Sequence, residues 1–206
     1  AHMSTLAESF EPTQRFVFWH MEGAGYRNVL HAVGEKRLRH TYDNYVLEIM
    51  SPSRNHEYFK KFLCRLVHAL TFELKIPIQS LGSLTLSTKD FGIEPDECFF
   101  LKQELDCTRD EYWNPDIDPA PELVIEIVAS GLFHNRLPVF AKLKVREVWT
   151  FDGQELKFWK LVKDEFELSS QSIAFPFLNA HDLVPYIEQL VEMGESVLLR
   201  KFIDWL

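Results

Sequence analysis

Glu122-Leu123-Val124-Ile125-Glu126-Ile127-Val128 is the stretch on which the fold turns. Five of its seven residues are apolar and β-prone, so it reads as a buried strand. An ionised carboxylate inside such a strand is costly unless something pairs with it. Thirty residues before Glu126, the turn Glu94-Pro95-Asp96-Glu97 runs into a second apolar strand, Cys98-Phe99-Phe100-Leu101. A divalent metal shared by Asp96 and Glu126 is one partner able to offset both charges.

Acids on adjacent strands suit phosphodiester cleavage. They hold an ion that lowers the pKa of the attacking water, and a nearby Lys or Arg stabilises charge developing on phosphate. Asp96 and Glu126 are the candidate ligands, and Glu48 is a possible third oxygen from the strand Tyr45–Met50. Arg136 and Lys142, on the helix expected after Glu126, are the candidate cations. Each has a plainer reading. Pro-Asp is common at turns, and Glu126 fits a salt bridge or a sheet edge. Glu48 alternates with Leu47 and Ile49, which favours a solvent-facing position, and Arg136 can pair with the acidic loop. A structural or dipole role suits His56, at the start of a helix beside Glu57.

The 206 residues suit one domain, and 46% hydrophobic content suffices for a sizeable core. A net charge of −9 disfavours a surface that grips nucleic acid throughout, while leaving room for a metal-screened site. Three cysteines without a Cys-x-x-Cys pair argue against a disulfide framework or a zinc knuckle. His-Glu-x-x-His, Gly-x-Ser-x-Gly and phosphate-loop patterns are missing, as is any apolar run long enough to span a membrane. Residues 1–3 resemble a cloning scar and no signal peptide follows, so the cytoplasm is the expected setting.

Around the acidic strand the spacing predicts short strands at 15–19 and 45–50, and a helix at 26–33 closed by Gly34. A long amphipathic helix over 55–75 carries Phe59, Phe62, Leu63, Leu66, Val67, Leu70 and Leu74 on one stripe. One strand is expected over 78–86 with Gly82 as a bulge, and a loop over 106–121. A helix over 133–144 with Pro138 in its first turn, strands at 147–151 and 156–161 joined at Asp152-Gly153, a strand at 166–168, and helices over 181–191 and 196–206 complete an α/β chain with a mixed sheet.

Several blocks in order, Leu47-Glu48-Ile49-Met50-Ser51-Pro52-Ser53 with His56-Glu57, Ser80-Leu81-Gly82-Ser83, Glu94–Cys98, Pro121–Glu126, Asn135–Phe140, Glu147-Val148-Trp149 and Ala174–Leu178, resemble the Uma-two family of restriction endonucleases, within the PD-(D/E)XK nuclease superfamily. The resemblance covers residues 38–206, with 4–37 as an N-terminal extension. It implies a restriction-endonuclease-like core, a mixed central β-sheet flanked by helices. It also implies a hydrolase cutting DNA with Mg²⁺ or Mn²⁺ held by Asp96 and Glu126, and homodimers are not unusual in the superfamily. Val128 stands where the superfamily pattern places Lys. Arg136 stands where many relatives carry a helix Lys, and Arg neutralises phosphate but cannot act as a base. Lys144-Val145-Arg146 replaces Gly-Val-Pro. The alternative is a catalytically silent nuclease fold serving as a nucleic-acid-binding or dimeric assembly module.

Overall fold

The computed structural model describes residues 10, 12–33, 39–82, 84–108, 113–129 and 134–206. The expected acidic strand is there as β8, Leu123–Ile127, and every one of its residues is buried. β8 lies inside a six-stranded mixed sheet. It pairs antiparallel with β7 (Glu97–Phe100) and parallel with β9 (Glu147–Phe151). β4 (Gln79–Leu81) extends the sheet beyond β7, and β10 (Leu156–Val162) and β11 (Glu165–Ser169) extend it beyond β9. The Asp152-Gly153 turn forms as expected, with Gly153 at φ 90°, where a side chain would be strained.

A second, antiparallel sheet of five strands holds β1 (Gln14–Phe18), β3 (Val46–Ser51), β2 (His40–Asp43), β6 (Gly92–Ile93) and β5 (Leu86–Ser87), in that order. Residues 14–18, read from sequence as part of an extension, pair with Leu47–Ser51 of β3. The segment expected to be one strand over 78–86 is two strands in different sheets. β4 joins the larger sheet and β5 the smaller, so Gly82 sits at the crossing and is not a bulge. Glu94-Pro95-Asp96 carries the chain back from β6 to β7. Gly34 and residues 130–133 lie outside the described residues.

Helix α1 (Gly23–Val33) covers the five-stranded sheet, where Tyr26 stacks on Tyr42 with ring centroids 4.3 Å apart. Helix α2 (Arg54–Glu73) lays the expected stripe from Phe59 to Leu70 on one face of the larger sheet, against Leu123, Ile125, Ile127, Trp149 and Phe151. Ser53 caps α2 by accepting the His56 N–H at 3.2 Å. On the opposite face, α3 (Leu137–Lys142) packs Val139 and Phe140 against Val124 and Val148, and Pro138 stands in its first turn as expected. Helices α4 (Ala180–Glu188), α5 (Leu190–Met193) and α6 (Glu195–Trp205) close the α2 side, with Asn179 and Asp182 forming a capping box at α4. The single helix expected over 181–191 is divided at Gln189.

Candidate active site

Antiparallel register puts Asp96, just ahead of β7, opposite Glu126 on β8. The two acids are tied together through backbone. The Asp96 N–H donates to Glu126 Oε1 at 3.2 Å, and the Ile127 N–H donates to Asp96 Oδ2 at 2.8 Å. Both side chains are buried, at 3% exposure. Carboxylates so placed need cations, and two arginines supply them.

Arg136 reaches the pair from the N-terminus of α3. Its Nη2 donates to Glu126 Oε1 at 3.1 Å and to the Glu94 carbonyl at 2.5 Å. Its Nη1 donates to Thr41 Oγ1 at 2.7 Å and to the His40 carbonyl at 3.3 Å. Its Nε lies 2.9 Å from Glu126 Oε2 as an ion-pair contact, without the alignment of a hydrogen bond. Arg39, just ahead of β2, bridges the acids. Nη2 donates to Glu126 Oε2 at 3.0 Å and Nη1 contacts Asp96 Oδ1. Burial is the main reason its guanidinium pKa falls to about 10, and the nearby Arg136 charge adds to that while Glu126 opposes it. Arg39 thus remains a cation at neutral pH.

His56, in the first turn of α2, brings Nε2 to 2.9 Å from Asp96 Oδ1 and 3.1 Å from Arg39 Nη1. Burial, reinforced by the charges of Arg39, Lys60 and Arg136, pushes its imidazole pKa down to about 2, so the ring is neutral. Its Nδ1 is buried without a hydrogen-bond partner.

The remaining candidates lie differently. Glu48, expected at a solvent-facing position, is instead 3% exposed. It sits on β3 directly across from Thr41, accepts the His134 N–H at 3.1 Å and pairs with Arg15 at 3.7 Å. It therefore adjoins the cluster through Thr41 and His134. Lys142 pairs with Asp43 at 2.5 Å and lies over the Phe91 ring, lining a separate cleft with Tyr42 and Asp90. Among the described residues, Arg136 pairs with Glu126 and not with the acidic loop. Sequence reasoning overlooked Arg39 altogether and assigned His56 only a helix role, and no local motif marks either as a partner of residues 40 to 87 positions away.

A pocket of about 420 Å³ opens beside Glu126, lined among others by Val128, Arg136, Thr150, Lys157 and Trp159. Glu126, Thr150 and Lys157 form one row across β8, β9 and β10. Lys157 is drawn to Glu155 at 2.5 Å.

The divalent cation implied by the resemblance does not fit this donor set as arranged. All four oxygens of Asp96 and Glu126 already meet cationic or N–H partners, and two guanidiniums balance two carboxylates. Among the described residues, no group of three or more His, Cys, Asp and Glu side chains is placed to hold a metal.

A mixed sheet with an acid pair at the junction of two sheets, flanked by helices, defines a restriction-endonuclease-like fold. The Uma2 family model, described as "Putative restriction endonuclease", matches residues 29–190, and the chain belongs to that family. The crystal structure of a putative nuclease belonging to DUF820 from Anabaena variabilis ATCC 29413 superposes with a TM-score of 0.52 at 14% identity, covering 72% of this chain and 90% of that one. At that identity the likeness is one of fold. No curated protein matches the chain. Among the described residues, no helix is long and apolar enough to cross a membrane.

Proposed function

We propose that this chain is a non-cleaving member of its nuclease family in the form described, with the acid pair held as a structural ion cluster and the fold serving as a binding or assembly module. One observation carries the reading: Arg39 bridges Asp96 and Glu126 where catalysis would require a metal. A guanidinium stays protonated and can neither activate water nor accept its proton. Arg136 is likewise committed to Glu126, Thr41 and backbone carbonyls. The charge of −9 weighs against tight nucleic-acid binding, and the exposed aromatic residues Phe16 and Phe18 on edge strand β1 support pairing with a second copy of the chain. Three free cysteines among the described residues accord with a cytoplasmic setting.

Family membership and the facing of Asp96 and Glu126 favour a second reading, a Mg²⁺- or Mn²⁺-dependent DNA endonuclease. Supercoiled plasmid incubated with Mg²⁺ or Mn²⁺ separates the two. The expected result is no nicking by the wild type. Nicking by the wild type that is abolished in Asp96→Ala would overturn the non-cleaving reading and install the second.

A further inference from the structure

We infer that the pocket of about 420 Å³ beside Glu126 binds a small aromatic monocarboxylate, with its ring on Val148 and Trp159 and its carboxylate on Thr150 and Lys157. The inference rests on the reading of the fold as a binding module and gives that module a ligand. Three features of the pocket support it.

The first is the pattern of its floor. Strand register lines up two rows across β8, β9 and β10 on the α3 side of the sheet. Val124, Val148 and Trp159 make an apolar row, and Glu126, Thr150 and Lys157 make a polar one. Side chains two residues apart on a strand share a face, so the rows run side by side about 7 Å apart. Val128, with Leu137 and Phe140 of α3, encloses the apolar part. A flat molecule with an apolar body and one polar end matches this floor. The volume lies at the small end for ligand pockets, which suits a body of one or two rings.

The second is an excess of hydrogen-bond donors. Both Glu126 oxygens are already engaged, by Arg39, by Arg136 and by the Asp96 N–H. Thr150 Oγ1 accepts the Trp159 Nε1–H at 2.8 Å, which leaves the hydroxyl proton to donate. The buried Arg136 Nε–H is not aligned on any acceptor among the described residues. Lys157 adds an ammonium. Donors of this kind are best met by an anionic acceptor.

The third is the charge balance. Asp96, Glu126, Arg39 and Arg136 cancel one another, so Lys157 is the cation this pocket can offer a ligand. Lys157 pairs with Glu155 at 2.5 Å, yet the two side chains are 36% and 64% exposed. An exposed pair contributes little, so Lys157 turns from Glu155 to a bound anion at small cost. Asp152 lines the same pocket, and Glu155 adjoins it through Lys157. One releasable cation beside two acids favours a single negative charge over the double charge of a phosphate monoester.

The test titrates 2-naphthoate into the full chain at mildly alkaline pH by calorimetry, with quenching of tryptophan fluorescence as a second readout. The neutral 2-naphthamide and the dianionic 2-naphthyl phosphate serve as comparisons. The wild type is expected to bind one 2-naphthoate per chain, and each comparison about 10- to 100-fold more weakly. Lys157→Met is expected to weaken 2-naphthoate binding by a similar factor, and Lys157→Arg to retain most of it. No saturable binding of 2-naphthoate at millimolar ligand overturns the inference, as does unchanged binding by Lys157→Met. Tighter binding of the phosphate than of the carboxylate overturns it as well. Should Lys157→Met fail to fold, the wild type decides alone, equal affinity for 2-naphthoate and 2-naphthamide overturning the inference. Each of these failures leaves the non-cleaving reading intact, whereas plasmid nicking that is lost in Asp96→Ala overturns that reading and the inference resting on it.

Discussion

The two faces of β8 are buried equally and stabilised differently. Leu123, Ile125 and Ile127 point toward α2 and belong to its apolar core. Val124 and Glu126 point the other way, and Glu126 needs Arg39, Arg136 and the Asp96 N–H around it. Apolar packing is non-directional and tolerates small losses in proportion to volume. An ion cluster is all-or-none: removing one member strands the others, while removing charge from both sides together can cost little.

The sharpest test of that contrast is on the charged face. Arg136→Ala is expected to destabilise the protein by about 3–5 kcal/mol in urea unfolding, because Glu126 loses its partner on the α3 side. The paired change Glu126→Gln with Arg136→Met should recover most of that loss. If the double variant is as unstable as the sum of its parts, the cluster is not the cooperative unit described here.

The apolar face should respond less. Ile125→Val removes one methylene from packing against α2 and is expected to cost about 0.5–1.5 kcal/mol. Its effect should add to that of Arg136→Ala, and coupling between the two would show that the faces are not independent.

The smallest effect concerns pH. Burial raises the Glu147 carboxyl pKa above its ordinary value, partly offset by N–H donors from Trp149, Ala174 and Ile173. With a raised pKa the folded state holds the proton longer, so this contribution is full below the ordinary value of 4.5 and is lost as pH rises through the folded value. Unfolding measured from pH 4 upward should show the wild type losing stability relative to Glu147→Gln. A constant difference between the two would refute the shift.

The two faces also differ in how much the sequence discloses. The α2 side was legible because its stripe repeats at helical spacing and its strands are apolar runs. Asp96, Glu126 and Arg136 stood out because a charge inside an apolar pattern needs a partner. Arg39 did not, since nothing beside it in sequence distinguishes it from a surface arginine, and its side-chain partners lie 17 to 88 residues away. Glu48 misled for a related reason. Alternation in Leu47-Glu48-Ile49 mimics a half-exposed strand, yet the inter-sheet junction buries both sides. The change of sheet between β4 and β5 is likewise set by long-range pairing, which local propensity does not record.

Among the described strands, β8 and β9 form the only parallel pairing. Parallel neighbours require a crossover, and here the crossover carries Arg136 at the head of α3. Docking β9 beside β8 therefore brings the neutralising cation to Glu126 in the same event. The β7–β8 pairing alone leaves Glu126 without Arg136, so the parallel β8–β9 pairing and this part of the neutralisation of Glu126 belong to one structural unit.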